Sequence, residues 1–204
     1  MPLWEVVREQ PDFSTFVGLI EKYGMDTLFT KDISHTLFIP SNAAFELLND
    51  TAGLMVGILS NHISNNLFLT RNVQGSRKLE NLAGKFPLVK SIGRVYTYDG
   101  VVIESISPLY LDGVYYEFAE VAIPRPNLYE FTERFSPVIR SFIDKRDSVY
   151  LNKSESTALR FDSEGNTIYD SVFSTVNRFE RDFFPVSKEF RDRRATFVLF
   201  TQEQ

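Results

Sequence analysis

The sequence predicts an α+β fold, one complete unit followed by part of a second copy. Three observations lead there. Residues 3–23 carry helical periodicity, residues 67–123 are dense in β-branched and aromatic side chains broken by glycine turns, and the helical opening recurs after residue 126.

In chain order, Trp4 and Val7 fit a short first helix. Pro11-Asp12 restarts it, with Asp12 the expected N-cap and Phe13, Phe16, Val17 and Ile20 on one face. Gly24 is placed to end that helix, since glycine enters the left-handed backbone at little steric cost. The apolar run Thr36-Leu37-Phe38-Ile39-Pro40 reads as a buried strand, which Pro40 stops because it has no N–H for the ladder. Ser41 or Asn42 is expected to cap a helix over 43–48, with Asn42 holding the strand-to-helix turn through backbone hydrogen bonds. Another helix over 54–61 is expected to point Leu54, Ile58 and Leu59 inward.

Strands are predicted over 67–69, 95–98, 101–106 and 114–121. Asp99-Gly100 between Tyr98 and Val101 marks a two-residue hairpin, whose turn needs positive φ at both positions. The mixed pattern of 114–121 predicts one partly wet face. Pro124, Arg125 and Pro126 then mark a boundary between residues 1–126 and 127–204.

Past that boundary, Leu128-Tyr129-Glu130-Phe131 echoes Leu3-Trp4-Glu5-Val6. Pro137, Ile139, Phe142 and Ile143 echo Pro11, Phe13, Phe16 and Val17, and residues 196–202 echo 36–42. Inserted between them, 159–161 and 167–173 form an expected hairpin about Asp162-Ser163-Glu164-Gly165-Asn166, followed by a helix over 174–190 interrupted near Pro185. The second copy has no counterpart of 54–121. It is therefore expected to be cut inside the repeat or completed by another chain. Phe131, Phe142, Phe197 and Leu199 then need cover from the first unit, from each other or from another chain, which favours self-association.

Composition narrows the function. The 204 residues hold 22 basic and 27 acidic side chains, a net charge of −5, so a basic nucleic-acid binder is not the default. No run of about 18 apolar residues is present, the length a membrane-crossing helix needs. Any membrane association would run through an anchor outside this sequence, and no export signal is visible at its start. Without cysteine there are no disulfides, thiolate nucleophiles or cysteine-ligated metals.

The ordered motifs resemble the fasciclin domain family. Thr36-Leu37-Phe38-Ile39-Pro40-Ser41-Asn42-Ala43-Ala44-Phe45 is similar to its first signature, and Leu59-Ser60-Asn61-His62-Ile63 to its Leu-x-x-His segment, with Asn61 where the family often has Tyr. Leu79, Leu82, Gly84 and Tyr98-Asp99-Gly100-Val101-Val102-Ile103 occupy the expected places. Residues 113–124 resemble the closing signature, with Phe118-Ala119 where Ile-Asp is more frequent. The resemblance implies a β-sandwich or wedge with helices packed along one edge, tandem copies, and cell adhesion without catalysis. The same family resemblance implies an extracellular or cell-surface location. Asp162–Asn166 followed by Tyr169-Asp170-Ser171-Val172-Phe173 also resembles segments of surface lipoproteins of gut-type Bacteroidetes, which implies an outer-membrane lipoprotein as the specific form.

No catalytic, cofactor or metal residue is assigned, and the binding face is left open. His62 is read as a hydrogen-bonded histidine where helix turns into sheet, and His35 as exposed. Asp162–Asn166 places glycine fourth and Phe173 twelfth, unlike a calcium loop. Glu117 and Glu120 read as a wet strand edge. Lys188, Arg191, Arg193 and Arg194 alternate with Glu189 and Asp192, a solvated face. Asn49-Asp50-Thr51 and Asn152-Lys153-Ser154 match glycosylation acceptors. The leading expectation is a surface interaction module for a protein or glycan, using exposed apolar residues around Tyr110 to Tyr116. The alternatives are a carboxylate-dependent hydrolase acting on surface glycans and an accessory subunit of an envelope complex.

Overall fold

Alternation along β1 (His35–Pro40) places Leu37 and Ile39 on one face and Thr36 and Phe38 on the other, and all six residues are buried. Such two-sided burial needs cover on both faces. The computed structural model, which describes residues 1–30, 33–48 and 54–179, supplies it within the first of two compact units, residues 1–125.

On one face lie α1 (Leu3–Arg8) and α2 (Ser14–Lys22). Their buried Leu3, Val7, Phe16 and Ile20 pack with Leu37, Ile39 and Tyr115. On the other, Phe38 packs with Tyr116, Phe118, Tyr98 and Val89. One sheet with a curl produces both faces. Its strand order is β2-β1-β7-β6-β5-β4-β3. The strands are β2 (Ile63–Ser64), β3 (Ser76–Lys78), β4 (Leu88–Ile92), β5 (Val95–Tyr98), β6 (Val101–Ile106) and β7 (Gly113–Phe118). The centre is the parallel pair β1–β7, in register from His35↔Gly113 to Pro40↔Phe118. The α+β class and the helices against the sheet agree with the sequence reading.

Several local expectations hold. Gly24 follows α2 at φ +67°, and Asp99 and Gly100 close the β5–β6 hairpin at φ +50° and +101°. Ser41 caps α3 (Asn42–Glu46) by accepting the Ala44 N–H, while α4 (Met55–Asn61) buries Ile58 and Leu59.

Others are corrected. Asp12 lies inside a 3-10 turn, Pro11–Phe13, and caps nothing there, because the proline start makes the tighter turn first. Leu54 is 67% exposed at the N-cap of α4, four residues before the buried stripe begins at Ile58. Residues 67–69 are not a strand; they lead into a 3-10 turn, Thr70–Asn72. The mixed pattern of β7 does not mark a wet face, because a core lies on each side of it, Tyr115 in one and Val114, Tyr116 and Phe118 in the other: only Glu117 is half-exposed. The short strands β2, β3 and β4 carry weak local signals and were not anticipated.

The second unit starts at Pro126. Helix α5 (Leu128–Phe135) opens with a capping box, in which Asn127 accepts the Glu130 N–H and Glu130 accepts the Asn127 N–H. After α6 (Pro137–Asp144) come two antiparallel pairs, β8 (Asp147–Leu151) with β11 (Phe173–Asn177) and β9 (Ala158–Phe161) with β10 (Thr167–Tyr169). The β9–β10 hairpin is the expected one, with Gly165 at φ +86°. The helix expected from Ser174 is instead strand through Asn177, since pairing with β8 outweighs helical spacing there. Residues 178–179 turn helical, and the predicted segment from residue 180 onward, with Phe197 and Leu199, lies outside the described residues.

Candidate interaction surface

The two histidines are the residues most able to do chemistry. His62 is fully buried at the C-cap of α4. Its Nε2 accepts the Ala122 N–H at 3.1 Å, which places its proton on Nδ1, donated to the Phe38 carbonyl at 2.6 Å. Burial without a charged partner lowers its pKa to about 4, against the two hydrogen bonds that raise it. His62 is thus a neutral cross-link between β1 and the segment after β7, as the sequence reading expected.

His35 corrects the sequence reading. It is 1% exposed, and both ring nitrogens lack a hydrogen bond of normal geometry among the described residues. It begins β1, and its ring meets Phe29 edge-on at 5.1 Å. Burial lowers its pKa, while Leu28, Asp112 and Asn65 act the other way. The two histidines do not share a site: one opens β1, the other is bonded to Phe38.

Beside His62 is a buried polar network that residue types alone did not reveal. Asn61 donates to the Ala122 carbonyl at 2.9 Å and accepts from Asn81 at 2.8 Å, and the Tyr98 hydroxyl donates to the Asn61 carbonyl at 2.5 Å. Desolvation raises the Tyr98 pKa, so its hydroxyl stays protonated. These groups are satisfied by one another and fix α4 to the sheet.

The segment from Tyr110 to Tyr116 is mostly buried, contrary to its expected exposure: Val114, Tyr115 and Tyr116 face the cores, while Leu111 is 83% exposed. One accessible apolar surface lies just before it. A cavity of about 300 Å³ is lined by Leu69, Arg71, Tyr96, Ile106, Leu109 and Tyr116 among others. Ile106 and Leu109 are about half exposed at its rim. A second cavity of similar size is lined by Asn66, Phe68, Arg77, Lys78, Glu80 and Phe86 among others.

Glu117 is half-buried and Glu120 exposed, and neither lines these two cavities. The Asp162 carboxylate accepts the Glu164 and Asn166 N–H groups and the Asn166 side chain, which makes it a turn and lowers its pKa. Asn152 accepts from Ser154 and donates to Ser174. In the second unit Phe131 stacks on Phe135, and Phe142 lies under Arg146. All three phenylalanines remain more than a third exposed. Asn49–Thr51 and the Lys188–Arg194 cluster lie outside the described residues. Among the described residues, no group of three or more His, Asp or Glu is placed to hold a metal, and no helix is long and apolar enough to cross a membrane.

The model of the fasciclin domain matches residues 11–121. Transforming growth factor-beta-induced protein ig-h3 of Sus scrofa is 27% identical over 129 residues, 59% of this chain. The chain spans about a fifth (19%) of that relative's length. A FAS1 domain pair from the insect cell adhesion molecule fasciclin I aligns over 68% of this chain and 58% of its own, at a TM-score of 0.44 and 13% identity.

Proposed function

The chain belongs to the fasciclin domain family, and from that premise we propose that it is a non-catalytic interaction module of the extracellular space or cell surface. Its first module is residues 1–126, and 127–204 is an incomplete second copy. The observation that carries this reading is how the reactive side chains are used: His62 is locked between Phe38 and Ala122, whereas Ile106 and Leu109 stand exposed around a cavity on a rigid sheet. A rigid framework with accessible apolar anchors is suited to docking another molecule. The family resemblance adds the adhesive role, with a protein or glycan as partner. Anchorage as an outer-membrane lipoprotein and self-association through the second copy are finer forms of the same reading. They are supported respectively by the resemblance of residues 162–173 and by the exposed Phe131, Phe135 and Phe142.

The test is a glycan array and a surface-protein binding screen with the intact chain, alongside its Leu109→Glu variant. Binding reduced at least tenfold in the variant, with unchanged thermal stability, is expected. Turnover of a surface glycan with no detectable binding partner would overturn the reading in favour of a hydrolase.

A further inference from the structure

Charge is unevenly spread along this acidic chain. Between Arg71 and Arg94 lie six of its 22 basic residues and one of its 27 acidic ones, a local charge of +5 against −10 for the remainder. The fold gathers this segment at one end of the sheet, in the edge strand β3, its neighbour β4 and their flanking turns.

Register fixes the arrangement. Ser76 pairs with Lys90 and Lys78 with Leu88, so the Lys78 and Lys90 positions share one face of the β3–β4 pair, diagonal to each other. Arg77 points to the opposite face, over the Phe68 ring at 5.7 Å. Arg94 sits in the exposed turn after β4, and Arg71 lines the apolar cavity. Arg71, Arg77, Lys90 and Arg94 are all exposed, and none has an ion-pair partner among the described residues. Charges on an edge strand guard it against pairing with other chains, which accounts for Arg77 and Lys78. That role does not account for Lys90, Arg94 or Arg71, which lie off the edge strand.

We propose that this end of the sheet is a binding site for an acidic polysaccharide. The inference rests on the interaction-module reading and deepens it by naming a face and a partner class. The cavity lined by Asn66, Phe68, Arg77, Lys78, Glu80 and Phe86 combines what an anionic sugar needs. Arg and Lys meet a carboxylate or sulfate, Asn and Glu meet hydroxyls, and the Phe86 ring offers an apolar face to the ring carbons. Cations along both sides of the edge extend the contact to neighbouring sugars. A nucleic acid fits less well: its dense, continuous phosphate charge meets the −10 of the remaining chain beyond the small positive footprint.

The experiment measures binding of the full chain to immobilised heparin and polygalacturonate, with neutral dextran and a single-stranded oligonucleotide in parallel. Binding to the acidic polysaccharides is expected, falling at least tenfold from low to high salt. The triple variant Arg77→Gln, Lys90→Gln, Arg94→Gln should lose about tenfold or more in affinity with an unchanged melting temperature. The control triple Lys22→Gln, Lys145→Gln, Lys153→Gln should bind as the parent does. No binding to either acidic polysaccharide, equal losses in both triples, or tighter binding to the oligonucleotide would each overturn the proposal. If the proteins or neutral glycans of the first screen still bind, the module reading survives that result. If they do not, both fall together.

Discussion

The carboxylate of Asp112 accepts the backbone N–H of Leu3 at 2.6 Å, across 109 residues of sequence. Helix α1 has no side-chain cap of its own, since Pro2 occupies the N-cap position. Asp112 therefore caps from the tight loop before β7, and its negative charge sits at the positive end of the helix. Its own carbonyl accepts the His35 N–H at 2.8 Å, so a single residue joins α1, β1 and β7. Replacing Asp112 with Ala should lower unfolding free energy by about 1–2 kcal/mol. Urea denaturation reads the loss, and the Leu3 amide should exchange faster with solvent than it does in the parent.

Gly113, the next residue, is required for space. A Cβ there would lie 2.1 Å from the His35 carbonyl oxygen and 2.8 Å from Leu3 Cδ2. The obstacle is backbone in the central strand pair and cannot swing aside. Gly113→Ala is expected to cost roughly 3 kcal/mol or more, or to prevent folding. Circular dichroism melting of the purified variant checks this; an unchanged melting temperature would contradict the β1–β7 register.

Acid should unfold the first unit through its histidines. His62 has a folded pKa of about 4 against an ordinary value of 6.5. Above pH 6.5 it is neutral in both states. Between 6.5 and 4 the unfolded chain takes up a proton that the folded chain does not, so stability falls by roughly 3 kcal/mol over that window and no further below it. His35, also lowered by burial, acts in the same direction. Urea titrations at stepped pH should show this slope in the parent. A His62→Gln variant should start less stable at pH 7 and have a shallower slope.

Asn42 has a different part from the one its position suggests. Ser41 supplies the helix cap, while Asn42 accepts the Thr15 N–H at 2.9 Å and donates to the Pro11 carbonyl and the Ser14 hydroxyl. It ties the start of α2 to the start of α3. Asn42→Ala should cost about 1–2 kcal/mol and speed exchange of the Thr15 amide. Ser41→Ala should cost about 1 kcal/mol and leave the Thr15 amide protected.

Much of this architecture was readable one segment at a time. The spacing of Phe13, Phe16, Val17 and Ile20 identified α2, the apolar run before Pro40 identified β1, and Asp99-Gly100 identified a hairpin. What local pattern misread was burial. His35 is polar and borders a strand, which by itself implies exposure, yet it is buried with the Phe29 ring edge-on against its own and the Asp112 carbonyl on its N–H. Tyr110 to Tyr116 read as an exposed binding surface because aromatic side chains serve interfaces as well as cores, and local pattern does not separate the two.

The amino-acid order was enough for α2, α4, β1, the β5–β6 and β9–β10 hairpins and the family. Periodicity, caps and turn residues act over a few residues, where steric and hydrogen-bonding preferences are set by near neighbours. Long-range pairing alone sets β1 parallel to β7, bridges Phe38 and Ala122 through His62, and gathers the basic residues after Thr70 at one end of the sheet. Those pairings join distant parts of the chain. They are selected by which buried faces and backbone groups satisfy one another once the sheet has curled, and no window of neighbouring residues contains that information.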